Sequence, residues 1–183
     1  ALQLEIGVQS TNTQTIDEID RRMDVERLRR VVKRIHDGGN IHIHLDLIAG
    51  LPYEDYTSFV ASFNDVFAMQ PEQLQLGFLK VLKGSKMHKK AGDYGLVYRS
   101  KPPYEVLYTN WLSFEEVCRL KRIEEMVEIY YNSNQFTMTL PVAIQRFPSA
   151  FAFLRHLQII MKKRDILSSH RPAATAIRFF FPL

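Results

Sequence analysis

Cysteine is almost absent from this sequence: Cys118 is the only one among 183 residues. A single cysteine excludes a disulfide framework within the chain, and it excludes an iron–sulfur cluster ligated by cysteines of this chain alone. The sequence also lacks an apolar run of roughly 18–20 residues, the length that a membrane span requires. Its first residues contain neither a basic region nor a long apolar stretch, so no signal peptide is indicated. We therefore expect a cytoplasmic protein with no membrane segment.

An excess of one charge and the common catalytic signatures are also lacking. The chain has 24 Lys and Arg against 20 Asp and Glu, a net charge of +4. Because the two signs are interleaved, this balance favours solvated surfaces over a nucleic-acid-binding one. The basic stretch at 27–34 follows a helical pattern and is interpreted as the solvated face of a helix. No nucleophile motif, phosphate-binding loop or Gly-x-Gly-x-x-Gly fingerprint is present.

The sequence does contain a repeated alternation of strand and helix patterns. Residues 2–9 alternate apolar and polar side chains, the period of a strand with one buried face. The other elements predicted in this region are two strands and three helices, at 41–48, 73–81, 13–20, 24–37 and 55–69. Each connection is long enough to join parallel strands, so the first 81 residues predict two successive βαβ units.

The pattern changes after residue 81. A short helix and two short strands are predicted up to residue 109. Ser113 and Glu116 have the spacing of a capping box at the start of a long helix, and further helices follow. The sequence therefore predicts two domains, an α/β domain over residues 1–95 and a mostly helical module over residues 96–183.

The second predicted strand, IHIHLDLI at 41–48, has one apolar face and one face that carries His42, His44 and Asp46. In a barrel or half-barrel the polar face lines the lumen, and functional groups lie at the C-terminal ends of the strands. Asp46 is near that end, and Gln9 is at the corresponding end of the first strand. We expect the two side chains to be neighbours in one cleft. A carboxylate beside an amide suits a ribose or another polyol, because one accepts from hydroxyls and the other donates.

Other interpretations of the same residues stay open. Asp46 is also suited to capping the next loop, and Gln9 to satisfying an amide at the strand end. His42 and His44 are suited to filling the lumen, with Glu5 as a hydrogen-bonding partner. A His-x-His pair also places two imidazoles on one face, as zinc sites require, although no further ligands are evident.

Several segments resemble the second half of the radical S-adenosylmethionine (SAM) fold. They are EIGVQS (5–10), DLIAGLP (46–52) and LKVLKGSKM (79–87), together with Arg21. The resemblance is to Fe–S oxidoreductases that share their barrel with anaerobic coproporphyrinogen oxidase. Residues 102–136 are similar to the C-terminal module of cobalamin-binding-domain radical enzymes. The implied fold class is α/β: the second half of a partial (β/α) barrel with parallel strands, followed by a mostly helical C-terminal module.

The resemblance also implies a SAM site. Gln9 matches the position that contacts the ribose, and Asp46 matches a polar position of the same site. Arg21 matches the basic position that pairs with the methionine carboxylate, which a guanidinium binds in a bidentate manner. Arg22 is the alternative if the helix register differs. The remaining matches place four residues close to the ligand or its adenine: Ser10, Ile48, Leu79 and Val81.

The cluster motif of that family, C-x-x-x-C-x-x-C, is absent from this sequence. We therefore expect the chain to be the C-terminal part of a longer radical SAM enzyme and to be inactive alone, with no catalytic or metal-binding residue of its own. The resemblance implies SAM and a 4Fe–4S cluster as cofactors of the intact enzyme. It also implies two partners for this chain, the N-terminal half of the barrel and a cobalamin-binding domain.

Two other functions remain as alternatives. The first is a non-catalytic half-barrel that binds a partner, and the second is a His-x-His zinc hydrolase. The free edge of the first strand and the apolar end FFFPL (179–183) also predict self-association, because open strand edges pair with other chains.

Overall fold

The structure, a computed structural model, describes residues 2–163. The described chain contains the following elements: β1 (Leu2–Gln9), α1 (Thr13–Glu18), α2 (Val25–Gly38), β2 (Ile41–Ala49), α3 (Tyr56–Phe67), β3 (Gln73–Phe78), α4 (Lys86–Lys89), β4 (Val97–Tyr98), β5 (Val106–Tyr108), α5 (Phe114–Val127), α6 (Thr139–Ile144) and α7 (Ala150–Lys163). The alternation predicted for the first 81 residues is confirmed. The apolar end at 179–183 lies outside the described residues.

The centre of the first half is a parallel three-stranded sheet with the order β1-β2-β3. The fold is therefore mixed α/β, with each crossover moving one strand along the sheet. In β2 the apolar face is fully buried, with Ile43, Leu45 and Leu47 each at 0% exposure. The other face carries the polar residues and is partly exposed. This alternation confirms the face assignment made from the sequence, and it directs the polar side chains away from the core.

Helices α2 and α3 cover the apolar face of the sheet, and both contact β2. Leu28 and Val32 are the buried residues of α2, while Phe59, Phe63 and Val66 are buried in α3. The side chain of Asp24 caps the start of α2, and Gly39 ends it with a φ of 65°. Glycine is suited to that C-terminal position because it has no Cβ to oppose a left-handed backbone. The predicted bounds of α2 are thus reproduced to within a residue or two.

The third strand is shorter than predicted, ending at Phe78 rather than near residue 81. The chain beyond it stays extended, but most of its backbone hydrogen bonds go to a later segment. The amide of Val81 donates to the carbonyl of Tyr104, and the amide of Val106 donates to the carbonyl of Leu79. Partners so far along the chain are decided by tertiary structure, which a local strand pattern does not report.

The chain divides into two compact units, Ala1–Leu120 and Lys121–Leu183. The sequence predicted a helical module from residue 96, whereas the second compact unit begins at Lys121. The predicted capping box is confirmed: the Glu116 carboxylate accepts from the Ser113 amide at 2.8 Å, and Ser113 Oγ accepts from the Glu116 amide.

The described part of the second unit is helical. A single π-helical turn, Glu128–Asn132, follows α5. The ring of Tyr130 is 1% exposed and lies 5.2 Å from the ring of Phe136. Burial raises the pKa of Tyr130 to about 12. Nowhere in residues 2–163 is a helix both long and apolar enough to cross a membrane.

Self-association remains a prediction, and the sheet supports it because β1 is an edge strand among residues 2–163. Leu2, at the start of that edge, is 61% exposed. An unpaired parallel edge offers backbone donors and acceptors to another chain. We expect light scattering coupled to size-exclusion chromatography to show a mass that rises with protein concentration. A constant monomer mass up to millimolar concentration would contradict this prediction.

Candidate functional site

The candidate site lies on the polar face of the sheet, near the C-terminal ends of the strands. Gly7 of β1 is paired with Asp46 of β2, and Asp46 is paired with Gln75 of β3. These three positions form one row across the sheet. The next row towards the strand ends contains Ile48 and Gly77. Two glycines on the polar face leave space above the backbone, which a ligand requires for close approach.

An irregularity at the end of β1 brings Gln9 onto Asp46. The register shifts between Gly7 and Gln9, so the amide of Val8 is released from the strand ladder and donates to Asp46 Oδ1 at 3.1 Å. Gln9 has a φ of 68°, and its Nε2 donates to Asp46 Oδ2 at 3.0 Å. Because a carboxylate only accepts, it selects the amide nitrogen of Gln9 and directs the amide oxygen elsewhere. Bulges of this kind re-aim side chains next to functional sites.

Arg21 reaches the same position from the turn after α1. Its Nη1 donates to the carbonyl of Gly7 at 2.7 Å. A Cβ added to Gly7 would lie 2.8 Å from Gln9 Nε2, 3.1 Å from Arg21 Nη1 and 3.5 Å from Asp46 Oδ1. Three polar groups from separate parts of the sequence therefore converge over this one glycine. The structure thus brings Gln9, Arg21 and Asp46 together. The sequence itself predicted that Gln9 and Asp46 are neighbours, whereas Arg21 was implied by the family resemblance.

A pocket of about 280 Å³ extends from Asp46 along the ends of β2 and β3. Ile48 and Leu79 supply apolar surface, Gly77 leaves room between them, and Lys80 completes the lining on the side of β3. A ligand that has a flat apolar ring next to a hydroxylated group fits this arrangement, with the ring on the apolar lining and the hydroxyls near Asp46. Lys80 was not among the residues predicted from the sequence.

Three other predicted residues, Ser10, Val81 and Arg22, do not line this pocket. Ser10 is 0% exposed, and its hydroxyl donates to Glu54, so a ligand contact would come from its backbone. Val81 is also 0% exposed. Arg22 lines a different pocket, beside Ile6 and α2, whereas Arg21 lies over Gly7.

A buried carboxyl group that the sequence did not point to supports the loop next to Gln9. Glu54 is 1% exposed, and its Oε1 accepts from Ser10 Oγ at 2.5 Å and from Ser62 Oγ at 2.9 Å. Its Oε2 is buried and has no hydrogen-bond partner within the described residues. Burial raises the pKa of Glu54 to about 7, against the opposing effect of the two hydroxyls. The local sequence Tyr53-Glu54-Asp55 is polar and typical of an exposed loop, so it does not indicate that Glu54 is buried.

A second group of charges holds the turn from which Arg21 projects. The Glu18 carboxylate accepts from Lys90 Nζ at 3.0 Å and from the hydroxyl of Tyr94. Lys86 Nζ donates to the carbonyl of Glu18 at 2.5 Å and to Asp20 Oδ2 at 2.8 Å. The hydrogen bond from Tyr94, followed by that from Lys90, lowers the pKa of Glu18 to about 2. These contacts tie α1 to residues 86–94 and so restrict Arg21.

The two histidines do not form part of a metal centre in the described chain. Residues 2–163 contain no group of three or more His, Cys, Asp or Glu side chains arranged to hold a metal ion. His44 Nδ1 lies 3.9 Å from Glu5 Oε1, beyond hydrogen-bonding distance. Both ring nitrogens of His44 are buried without a hydrogen-bond partner in this part of the chain.

Comparisons with known proteins agree with the fold. Residues 92–173 match a family described as "Protein of unknown function (DUF4080)". No curated protein is similar enough to count as a match. The structure is similar to that of coproporphyrinogen III oxidase (HemN) from Escherichia coli, a radical SAM enzyme, with a TM-score of 0.50 and 19% identity. That similarity covers 79% of this chain and 32% of the HemN chain. The chain therefore spans about a third of that enzyme, and the likeness is one of fold.

Proposed function

We propose that this chain supplies one side of the SAM-binding cleft of a radical SAM oxidoreductase, within a partial (β/α) barrel. The observation that carries the proposal is the convergence of Gln9, Arg21 and Asp46 over Gly7, beside an apolar pocket at the ends of parallel strands. The similarity in fold to HemN supports it. A ligand with a polyol, a carboxylate and a flat apolar ring fits these neighbouring surfaces.

Each polar residue has a separate role in the proposed binding of SAM. Both oxygens of Asp46 accept hydrogen bonds, from Val8 and from Gln9, so Asp46 positions the Gln9 amide. Gln9 then presents its amide oxygen to a ribose hydroxyl. Arg21 brings a permanent positive charge to Gly7, and its remaining donors suit the methionine carboxylate. Ile48 and Leu79 offer the apolar surface for adenine.

The residues present fit SAM but do not fit an iron–sulfur cluster. The sole cysteine, Cys118, lies in α5, and no three-cysteine loop exists in the sequence. In this fold, SAM bound next to a cluster is the source of radical chemistry, so that chemistry requires ligands from outside this chain. We propose that they come from the other half of the barrel in a longer protein. A cobalamin-binding domain in that protein stays a prediction.

Weak but specific binding of an adenosyl ligand is the expected result for the isolated 183-residue chain. Saturation-transfer NMR with S-adenosylhomocysteine should show saturation of the adenine and ribose protons. Calorimetry at micromolar concentration should show no binding, because half of the cleft is missing. The variant Gly7→Ala should lose the NMR signal, since its Cβ would occupy the space among the three polar groups.

The matched control is Gly92→Ala, where an added Cβ meets nothing within 4 Å. It should bind as the unsubstituted chain does. Absence of saturation at millimolar ligand, or an equal loss in both variants, would contradict the proposed cleft. Micromolar or tighter binding would show that the site is complete in this chain, and the half-cleft proposal would then be wrong.

A further inference from the structure

The distribution of charge along the chain is much less even than its total suggests. Residues 80–104 contain seven Lys and Arg and one acid, Asp93, a net charge of +6. The whole chain has a net charge of +4, with 24 basic and 20 acidic residues. The remaining 17 basic and 19 acidic residues therefore have a net charge of −2. All of the excess positive charge thus lies in one segment of 25 residues.

The structure separates the cations of this segment into two sets. Lys86 and Lys90 are paired with the carboxylates of Glu18 and Asp20. The other five are exposed, and no carboxylate of the described residues lies within ion-pair distance of them. They are Lys80, Lys83, Lys89, Arg99 and Lys101. Cations without a neighbouring carboxylate repel one another and produce a positive electrostatic potential at the surface. That potential favours the binding of an anionic partner.

Tyrosines lie among the unpaired cations. Lys83 Nζ is 5.9 Å from the centre of the Tyr104 ring. His88, which precedes Lys89, meets the Tyr98 ring edge-on at 6.5 Å. The Arg99 amide donates to the Glu105 carbonyl at 2.9 Å, which brings the segments around Tyr98 and Tyr104 side by side. We call this region the basic surface; it consists of Lys83, Lys89, Tyr98, Arg99, Lys101 and Tyr104.

The other basic region of the chain, helix α2, differs in its lack of tyrosines. Two of its five cations pair with acids, Arg29 with Glu26 and Lys33 with Asp37, while Arg27, Arg30 and Arg34 have no ion pair within the described residues. The helix contains no aromatic residue except His36. This comparison makes α2 an internal control for charge without aromatic rings.

We propose that the basic surface binds single-stranded nucleic acid. Nucleic-acid bases stack on aromatic rings while phosphates pair with neighbouring cations, and this combination distinguishes a single strand from an acidic peptide. An acidic peptide would use the charges but not the rings. The proposal is independent of the SAM cleft, because it uses none of the residues placed there.

The test is fluorescence anisotropy with the full 183-residue chain and a labelled 20-nucleotide RNA of mixed sequence, at several salt concentrations. The triple variant Lys83→Gln, Arg99→Gln, Lys101→Gln should weaken binding at least tenfold. It should also reduce the slope of log K against log salt by about 2, since each phosphate contact contributes about 0.7. The triple variant Arg30→Gln, Lys33→Gln, Arg34→Gln on α2 removes the same charge and should weaken binding less than threefold.

Substitution of one tyrosine separates stacking from charge. Tyr98→Leu should weaken RNA binding several-fold at constant net charge, whereas Tyr98→Phe should retain it. Circular dichroism of every variant verifies that the fold is kept. Equal losses in the two triple variants, equal binding of Tyr98→Leu and Tyr98→Phe, or tighter binding of poly-glutamate than of RNA would overturn the proposal. So would the absence of binding at low salt.

Discussion

Replacing Gly50 by alanine is expected to lower the free energy of unfolding by about 2–4 kcal/mol. Gly50 forms the turn after β2 with a φ of 91°, a conformation that strains any residue with a Cβ. That Cβ would also lie 2.7 Å from Cγ1 of Val106, which is 0% exposed and cannot easily move. Backbone strain and overpacking therefore act together at this turn. Urea denaturation of the two proteins measures the difference.

Two further variants show whether both causes contribute. Gly92→Ala has open space around the new Cβ and no positive φ, so its stability should stay within about 0.5 kcal/mol of the parent. Val106→Ala removes the clashing methyl groups. Combined with Gly50→Ala it should cost about 1 kcal/mol less than the sum of the single changes. If the changes in unfolding free energy of Gly50→Ala and Val106→Ala simply add, the new Cβ at residue 50 does not contact Val106. A Gly50→Ala protein as stable as the Gly92→Ala protein would contradict the expected strain.

The second large effect is a loss of stability as the pH rises from about 4.5 to about 7, caused by Glu54. Burial raises the pKa of Glu54 from 4.5 to about 7 in the folded chain. The folded state therefore binds more protons than the unfolded state between these values, so its stability is complete below pH 4.5 and falls as the pH rises. At 1.36 kcal/mol per pKa unit the loss is about 3 kcal/mol. The neighbouring charge of Asp55 acts in the same direction.

The variant Glu54→Gln should remove this slope, because the amide keeps an acceptor for the Ser10 and Ser62 hydroxyls but does not ionise. Thermal or urea unfolding between pH 4.5 and 8 measures the slope. The control is Glu125→Gln, an exposed position on α5, which should keep the slope of the parent. Glu18 contributes in a separate window: its lowered pKa gives stability that is lost only as the pH falls from 4.5 towards 2. Identical slopes for Glu54→Gln and Glu125→Gln would show that Glu54 does not carry the effect.

Much of the fold was predictable because its signals are local. The alternation of Ile41 to Ile48 marks a strand with two unlike faces, and the structure buries the apolar one. The caps at Asp24 and Ser113 act within one helical turn, so three or four letters of sequence are enough to locate them. The pairing of Gln9 with Asp46 was predictable for a similar reason: adjacent parallel strands end at the same edge of the sheet.

The parts that were not predicted depend on residues distant in sequence. Glu54 meets Ser10 across 44 residues, and Tyr94 meets Glu18 across 76 residues. Neither contact belongs to the repeating side-chain pattern of a helix or strand. The sequence therefore does not distinguish Glu54 and Glu18 from exposed acidic residues. The end of β3 was misplaced for the same reason, since the Leu79 carbonyl and the Val81 amide pair with residues 104–106.

By itself, the sequence determined the order of strands and helices, the polar and apolar faces of the sheet, and the lack of cluster cysteines. These properties depend on side-chain period and on composition, which need no partner. Only the tertiary structure decided that Asp46 accepts a hydrogen bond from Gln9, that Glu54 is buried, and that five cations of residues 80–104 have no carboxylate partner within residues 2–163. The physical reason is that burial and pairing belong to groups brought together in space, and the free energy of a charge depends on those neighbours.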